Sequence, residues 1–184
     1  MLATIQAIAR RTRAKSQNLD EFAKAFEHRL AAIARTHALL SRTHTSTIDI
    51  REILSQELSV HGAVEGENLQ QRGPNILIPA KQAEVLSMAI HELATNAVKH
   101  GALSVENGRI DVSWDAHDRG HEKEFQLHWR ERASPIGHQP ARRGFGSEFL
   151  EKSIPHMLRG RFERTFDSDG IECTVSFLLD QSDK

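Results

Sequence analysis

The sequence predicts an α+β fold: a helical hairpin over residues 1–45, then an α/β sandwich over residues 48–180 with a mixed sheet packed on helices. Three observations predict it. Leu19, Ala23, Phe26, Leu30, Ile33, His37 and Leu40 recur in steps of four and three, the seam of a long helix. Leu86, Ala89, Ile90, Leu93 and Ala97 form the apolar stripe of a second long helix, ended by Gly101. Beyond Gly101 the period changes from helical to alternating, as strands require.

At 184 residues the chain holds one domain, or a small helical module plus one domain. A net charge of −1 gives no general attraction to nucleic acid or to an anionic membrane. No stretch is long and apolar enough to span a bilayer, and Met1 to Arg13 lacks a signal-peptide pattern. The single cysteine, Cys173, has no partner for an internal disulfide and lies in an alternating apolar run, so it reads as a small core residue. A reducing cytoplasm fits this usage.

The elements follow in order. Leu2, Ile5 and Ile8 are helically spaced, with Arg10, Arg11 and Arg13 after them. Asn18 is a candidate N-cap, with Glu21 three residues on as in a capping box. The two helices could form a dimerisation module, pairing into a four-helix bundle, or an appendage packed on its own neighbouring domain; the seam leaves both open. Ile48, Ile50, Ile53, Leu54 and Leu58 suggest a short helix with Asp49 near its start. Residues 61–73 are polar and glycine-rich and read as a loop. Asn75–Pro79 reads as a strand with Ile76 and Ile78 on one face, leading into the helix that starts near Lys81. Residues 103–108 form a turn, and Arg109–Asp115 a strand with Ile110, Val112 and Trp114 inward. Residues 117–123 form a charged turn before a strand carrying Phe125, Leu127 and Trp129. A helix with Phe149, Leu150, Ile154 and Leu158 inward ends at Gly160. Two last strands, 161–166 and 171–178, flank a turn at Asp167–Gly170.

The helix before Gly101 carries the chemistry. Glu92, Asn96 and Lys99 stand at i, i+4 and i+7 and share a face. An amide oxygen suits Mg²⁺, an ammonium neutralises phosphate, and a carboxylate accepts a proton or orients a water. A polar helix face is also what plain solvation produces, so spacing alone leaves both readings open.

The wording of this stretch, His91-Glu92-Leu93-Ala94-Thr95-Asn96-Ala97-Val98-Lys99-His100-Gly101, resembles the N box of the HWE family of sensor histidine kinases. A second motif, Trp129-Arg130-Glu131, resembles that family's W-x-E, and Gly144-Phe145-Gly146-Ser147 resembles a G2 box. The resemblance covers nearly the whole chain. It implies a histidine-kinase/gyrase-type ATPase sandwich using ATP and Mg²⁺. Asn96 would hold Mg²⁺, Lys99 the phosphates, and Glu92 would act as general base or polarise the histidine nucleophile, with His91 beside it supporting the box. Glu131 would accept from the adenine amino group, and Gly144, Gly146 and Ser147 would present backbone N–H groups to phosphate. Arg142 and Arg143 are candidates for a lid. The family has two glycines where Ala133 and Ser134 stand, so the backbone path near the base differs.

In that family the phosphorylated histidine opens a stretch like H-R-V-K-N, followed directly by residues like Leu2–Arg10. The resemblance therefore implies that the acceptor is missing here, through truncation of a longer protein or because the chain does not phosphorylate itself at the usual place. His28 lies off the seam on the second helix, where the family's acceptor does not sit, and reads as exposed; His37 reads as a packed histidine. A response regulator receiver domain, an upstream sensory domain and a homodimer through the hairpin are the implied partners. The rivals are a degenerate phosphotransfer or docking module that binds no ATP, an anti-sigma-factor serine kinase of the same ATPase superfamily, and a chain whose helices serve only assembly, which a monomer in solution would weaken. The intact Glu92, Asn96 and Lys99 argue against the first, and the helical hairpin and W-x-E against the second.

Overall fold

The computed structural model describes residues 2–43, 46–133 and 145–180. Helices α1 (Leu2–Lys15) and α2 (Leu19–Thr43) form the hairpin. Asn18 begins α2 as expected: its Oδ1 accepts from the Glu21 backbone N–H at 2.8 Å, while the Glu21 carboxylate accepts from the N–H of Gln17 at 2.7 Å. The elements that follow are β1 (Thr47–Asp49), α3 (Ile50–Ser59), β2 (Leu69–Arg72), β3 (Leu77–Pro79) and α4 (Ala80–His100). After a 3₁₀ turn at Ala102–Ser104 come β4 (Arg109–Arg119), β5 (Glu122–Arg132), α5 (Phe145–Met157), β6 (Arg161–Phe166) and β7 (Gly170–Leu178).

The main sheet has the order β2-β4-β5-β7-β6. β2 runs parallel to β4 and the other pairs are antiparallel. One face of the sheet is apolar: Ile110, Val112 and Trp114 from β4, Phe125, Leu127 and Trp129 from β5, and Cys173, Val175 and Phe177 from β7 are all buried. This face meets the buried stripe of α4, Leu86, Ala89, Ile90, Leu93 and Ala97, in a single core with Phe149, Leu150 and Ile154 of α5. The alternation read from the sequence is the pleat of this sheet. Cys173 lies inside it, and burial pushes its thiol up to about 12, as a packed core residue requires.

Three elements differ from expectation. The supposed loop at 61–73 contains β2, whose sequence Leu-Gln-Gln-Arg buries only Leu69; as an edge strand it needs one apolar contact and leaves no alternation to read. Ile48 belongs to a short strand paired with Ile78, so α3 begins only at Ile50, with the Asp49 carboxylate accepting from the Arg51 N–H at 2.8 Å. The supposed turn at 117–123 is mostly strand. The β4–β5 ladder runs out to Arg119 and Glu122, leaving Gly120–His121 as the turn, with Gly120 at φ +69° where a side chain would be strained.

The hairpin docks on the chain's own sandwich. The buried positions of α2 are Arg29, Ala32, Ile33, Thr36 and Leu39, and they face α4 and α3; of the heptad seam, Leu19 (77% exposed) and Leu30 (39%) stay outside this contact. α1 reaches α5, where Lys15 Nζ lies 2.9 Å from a Glu148 carboxylate oxygen.

Candidate nucleotide site

α4 is the element that gathers the site. Glu92, Thr95, Asn96 and Lys99 lie along one side of it and line a cavity of about 450 Å³. The opposite wall is the hairpin, with Lys15, Lys24, His28 and Arg29. Gly146 and Ser147, at the start of α5, close one end. A second, smaller cavity of about 40 Å³ lies between α4 and the sheet, lined by Leu93, Glu131, Arg164 and Cys173. Asn96, His100 and Ser147 line both cavities, so the two adjoin. Of the residues expected to act, the structure thus brings together Glu92, Asn96, Lys99, Glu131, Gly146 and Ser147. Gly144, Arg142 and Arg143 lie outside the described residues.

Glu92 is 3% exposed and is not solvated: Arg29 Nε donates to its Oε1 at 2.7 Å and Arg29 Nη2 to its Oε2 at 3.4 Å. This is a two-point guanidinium–carboxylate pair across the α2–α4 contact. Gly146 packs on the same carboxylate, since a Cβ there would stand 2.5 Å from Glu92 Oε2. The glycine of this box is therefore needed for contact with the N-box glutamate as well as for any ligand.

His91 does not line either cavity. It turns to the neighbouring face of α4, where Nδ1 lies 3.4 Å from Glu57 Oε2 and 3.3 Å from His61 Nε2. Arg35 of α2 donates through Nε to Glu57 Oε1 at 3.0 Å, and the Ser87 hydroxyl donates to the same oxygen at 3.1 Å. Burial raises the Glu57 carboxyl, but hydrogen bonds from His91 and Arg35 outweigh it and hold the group below its ordinary value. The His61 ring is pushed down to about 4, chiefly by burial and then by the charge of His91. The histidine of the box thus fastens α3 to α4.

The W-x-E residues explain each other. At i and i+2 on β5, Trp129 and Glu131 point to the same buried face, and the indole N–H donates to Glu131 Oε1 at 3.0 Å. Oε2 accepts from the Ala102 backbone N–H at 2.9 Å. Burial pushes the Glu131 carboxyl up against these two bonds. Gly101 makes the approach feasible: a Cβ there would stand 1.9 Å from Glu131 Oε2, and its φ of −121° is ordinary extended backbone. The residue that reads as a helix-ending glycine is required by space rather than by a left-handed turn.

Sequence reasoning did not find Arg29, Arg35, Glu57, His61, Thr95 or Arg164. Arg164 lines the smaller cavity, donates to the Ser147 hydroxyl at 3.2 Å and to Glu151 at 3.2 Å, and so ties β6 to the start of α5.

Comparison with known proteins gives the family and the fold. Residues 1–75 match the family model described as HWE histidine kinase. The chain is 33% identical over 174 residues to a blue-light-activated histidine kinase of Brucella anthropi, covering 95% of this chain and 35% of that protein. It is 32% identical over 170 residues to the corresponding kinase of Brucella ovis, covering 92% and 35%. The chain therefore spans about a third of the length of these relatives. Among solved structures, the blue-light activated histidine kinase of Erythrobacter litoralis EL346 superposes with a TM-score of 0.68 at 14% identity, over 97% of this chain and 58% of that one. The catalytic domain of the histidine kinase ThkA gives 0.53 at 13% identity, over 71% and 94%. At these identities the structural likeness carries the fold alone. The sequence matches carry the family, and they place this chain among the HWE histidine kinases.

Proposed function

We propose that this chain is the catalytic region of a two-component histidine kinase, with residues 1–45 as its hairpin and residues 48–180 as its ATP-binding domain. The carrying observation is the convergence of Glu92, Asn96, Lys99 and Ser147 on one cavity that adjoins the buried Glu131. The donor set fits a magnesium nucleotide. The Asn96 amide makes no side-chain hydrogen bond among the described residues, and Lys99 makes no ion pair there, so both are available to a ligand.

ATP supplies the γ-phosphoryl group. Asn96 would hold Mg²⁺ through its amide oxygen, and Lys99 would neutralise phosphate charge. Glu131 would accept from the adenine amino group with the lone pairs that Trp129 and Ala102 leave free, which selects adenine over guanine. Ser147 and the free N–H groups at the start of α5 would receive phosphate oxygens, with Gly144, Arg142 and Arg143 completing the box and lid. Glu92 would orient the nucleophilic histidine and take its proton. His91 acts through the packing of α3 on α4. Phosphate would pass from histidine to an aspartate of a response regulator receiver domain, under control of a sensory domain, in the cytoplasm. A homodimer would use the exposed part of the hairpin seam, Leu19 and Leu30.

The pairing of Glu92 with Arg29 favours a second reading, a docking module in which the catalytic carboxylate is permanently occupied. Calorimetry with ATP·Mg²⁺ decides between them. Binding in the micromolar range that Asn96→Ala abolishes is the expected result; no binding by the intact chain would sink the kinase reading and favour the docking module.

A further inference from the structure

The larger cavity has an excess of unpaired positive charge on both walls. Lys24 of α2 and Lys99 of α4 make no ion pair among the described residues. Of the two acids that line the cavity, Glu92 is paired with Arg29, and the exposed Glu21 keeps its charge while accepting from the backbone N–H of Gln17. Both side chains are exposed and line one partly enclosed space, so each lysine is free to reach an anion that enters it.

Thr95 adds an independent sign of a ligand. Its Oγ1 is buried and has no hydrogen-bond partner among the described residues. A helical threonine ordinarily satisfies its hydroxyl on the carbonyl four residues back. Thr12 and Thr36 do so, donating to Ile8 and Ala32 at 2.7 and 3.2 Å. Thr95 does not, and it lines the same cavity as Lys24 and Lys99. An unmet buried hydroxyl is costly unless something outside the chain meets it.

We propose that the hairpin closes the phosphate end of the nucleotide site in cis. Lys24 of α2 and the Thr95 hydroxyl of α4 contact the polyphosphate tail, beside Asn96 and Lys99. The second hairpin helix is then part of the nucleotide site as well as an assembly element. This rests on the nucleotide reading given above.

The test is calorimetry of the whole chain with ATP·Mg²⁺, with adenosine measured by displacement of a fluorescent nucleotide. Lys24→Ala should weaken ATP about tenfold, as loss of one charge-assisted contact does, and leave adenosine unchanged. Lys24→Arg should restore ATP binding, and Thr95→Val should weaken ATP several-fold with no effect on adenosine. Lys24 is exposed, so its variants fold, and a thermal melt checks Thr95→Val. ATP affinity unchanged in both variants overturns the inference while leaving the nucleotide site standing. An equal loss for ATP and adenosine overturns it too, since that marks a general distortion. No ATP binding by the unaltered chain removes the nucleotide reading itself.

Discussion

Removing Arg29 should destabilise the chain more than any exposed charge change, because it strands a buried carboxylate. The Arg29 and Glu92 side chains are 10% and 4% exposed, and the closest N–O distance is 2.7 Å. Gly146 lies against Oε2 on one side and leaves no room there for another side chain. Breaking one partner of such a pair costs about 3–5 kcal/mol, whereas replacing both partners by neutral groups of similar volume is often close to neutral. For a chain of 184 residues this predicts that Arg29→Met lowers Tm by about 10 °C. The double variant Arg29→Met/Glu92→Gln should recover most of the loss, with a coupling of at least about 2 kcal/mol in the cycle. Urea unfolding of the four proteins, followed by circular dichroism, measures it. A single-variant loss below about 1 kcal/mol, or a double variant as unstable as the summed singles, would show that the pair is solvated and the hairpin not docked as described.

The other predictions are smaller in scope. Gly146→Ala should cost about 1–3 kcal/mol in urea unfolding, because its Cβ meets a glutamate oxygen that Arg29 holds in place; in a Glu92→Ala background the cost should shrink by at least half. The carboxyl of Glu131 is raised by burial, so its contribution is fully present below the unfolded value near 4.5 and is lost as pH rises through the higher folded value. Glu131→Gln should remove that fall from the pH–stability curve, and an unchanged curve would refute the assignment. The ring of His61 is lowered from 6.5 to about 4, so it stays neutral in the fold and stability is lost as pH falls between those values. His61→Asn should flatten the acid limb of Tm against pH.

Much of the fold was legible because its core face is regular. Alternation in β4, β5 and β7 and the stripe of α4 follow directly from burial on one side, and the polar row Glu92, Asn96 and Lys99 does line one cavity. β2 was not legible because an edge strand with one buried residue has no period. The docking of α2 was not legible either. Arg29 and Arg35 look like solvated charges in a heptad pattern, and only the positions of Glu92 and Glu57 on other elements turn them inward. His91 was readable as part of a motif but not in its role, because its partners Glu57 and His61 lie 30 or more residues away in the chain.

One helix, α2, thus holds two buried acids of the sandwich at once: Arg29 on Glu92 of α4 and Arg35 on Glu57 of α3. Each step along an α-helix turns it by about 100°, so a twist of α2 by a fraction of that step would strain both pairs together. A turn of α2 would therefore be felt at Glu92 and at Glu57 in the same movement.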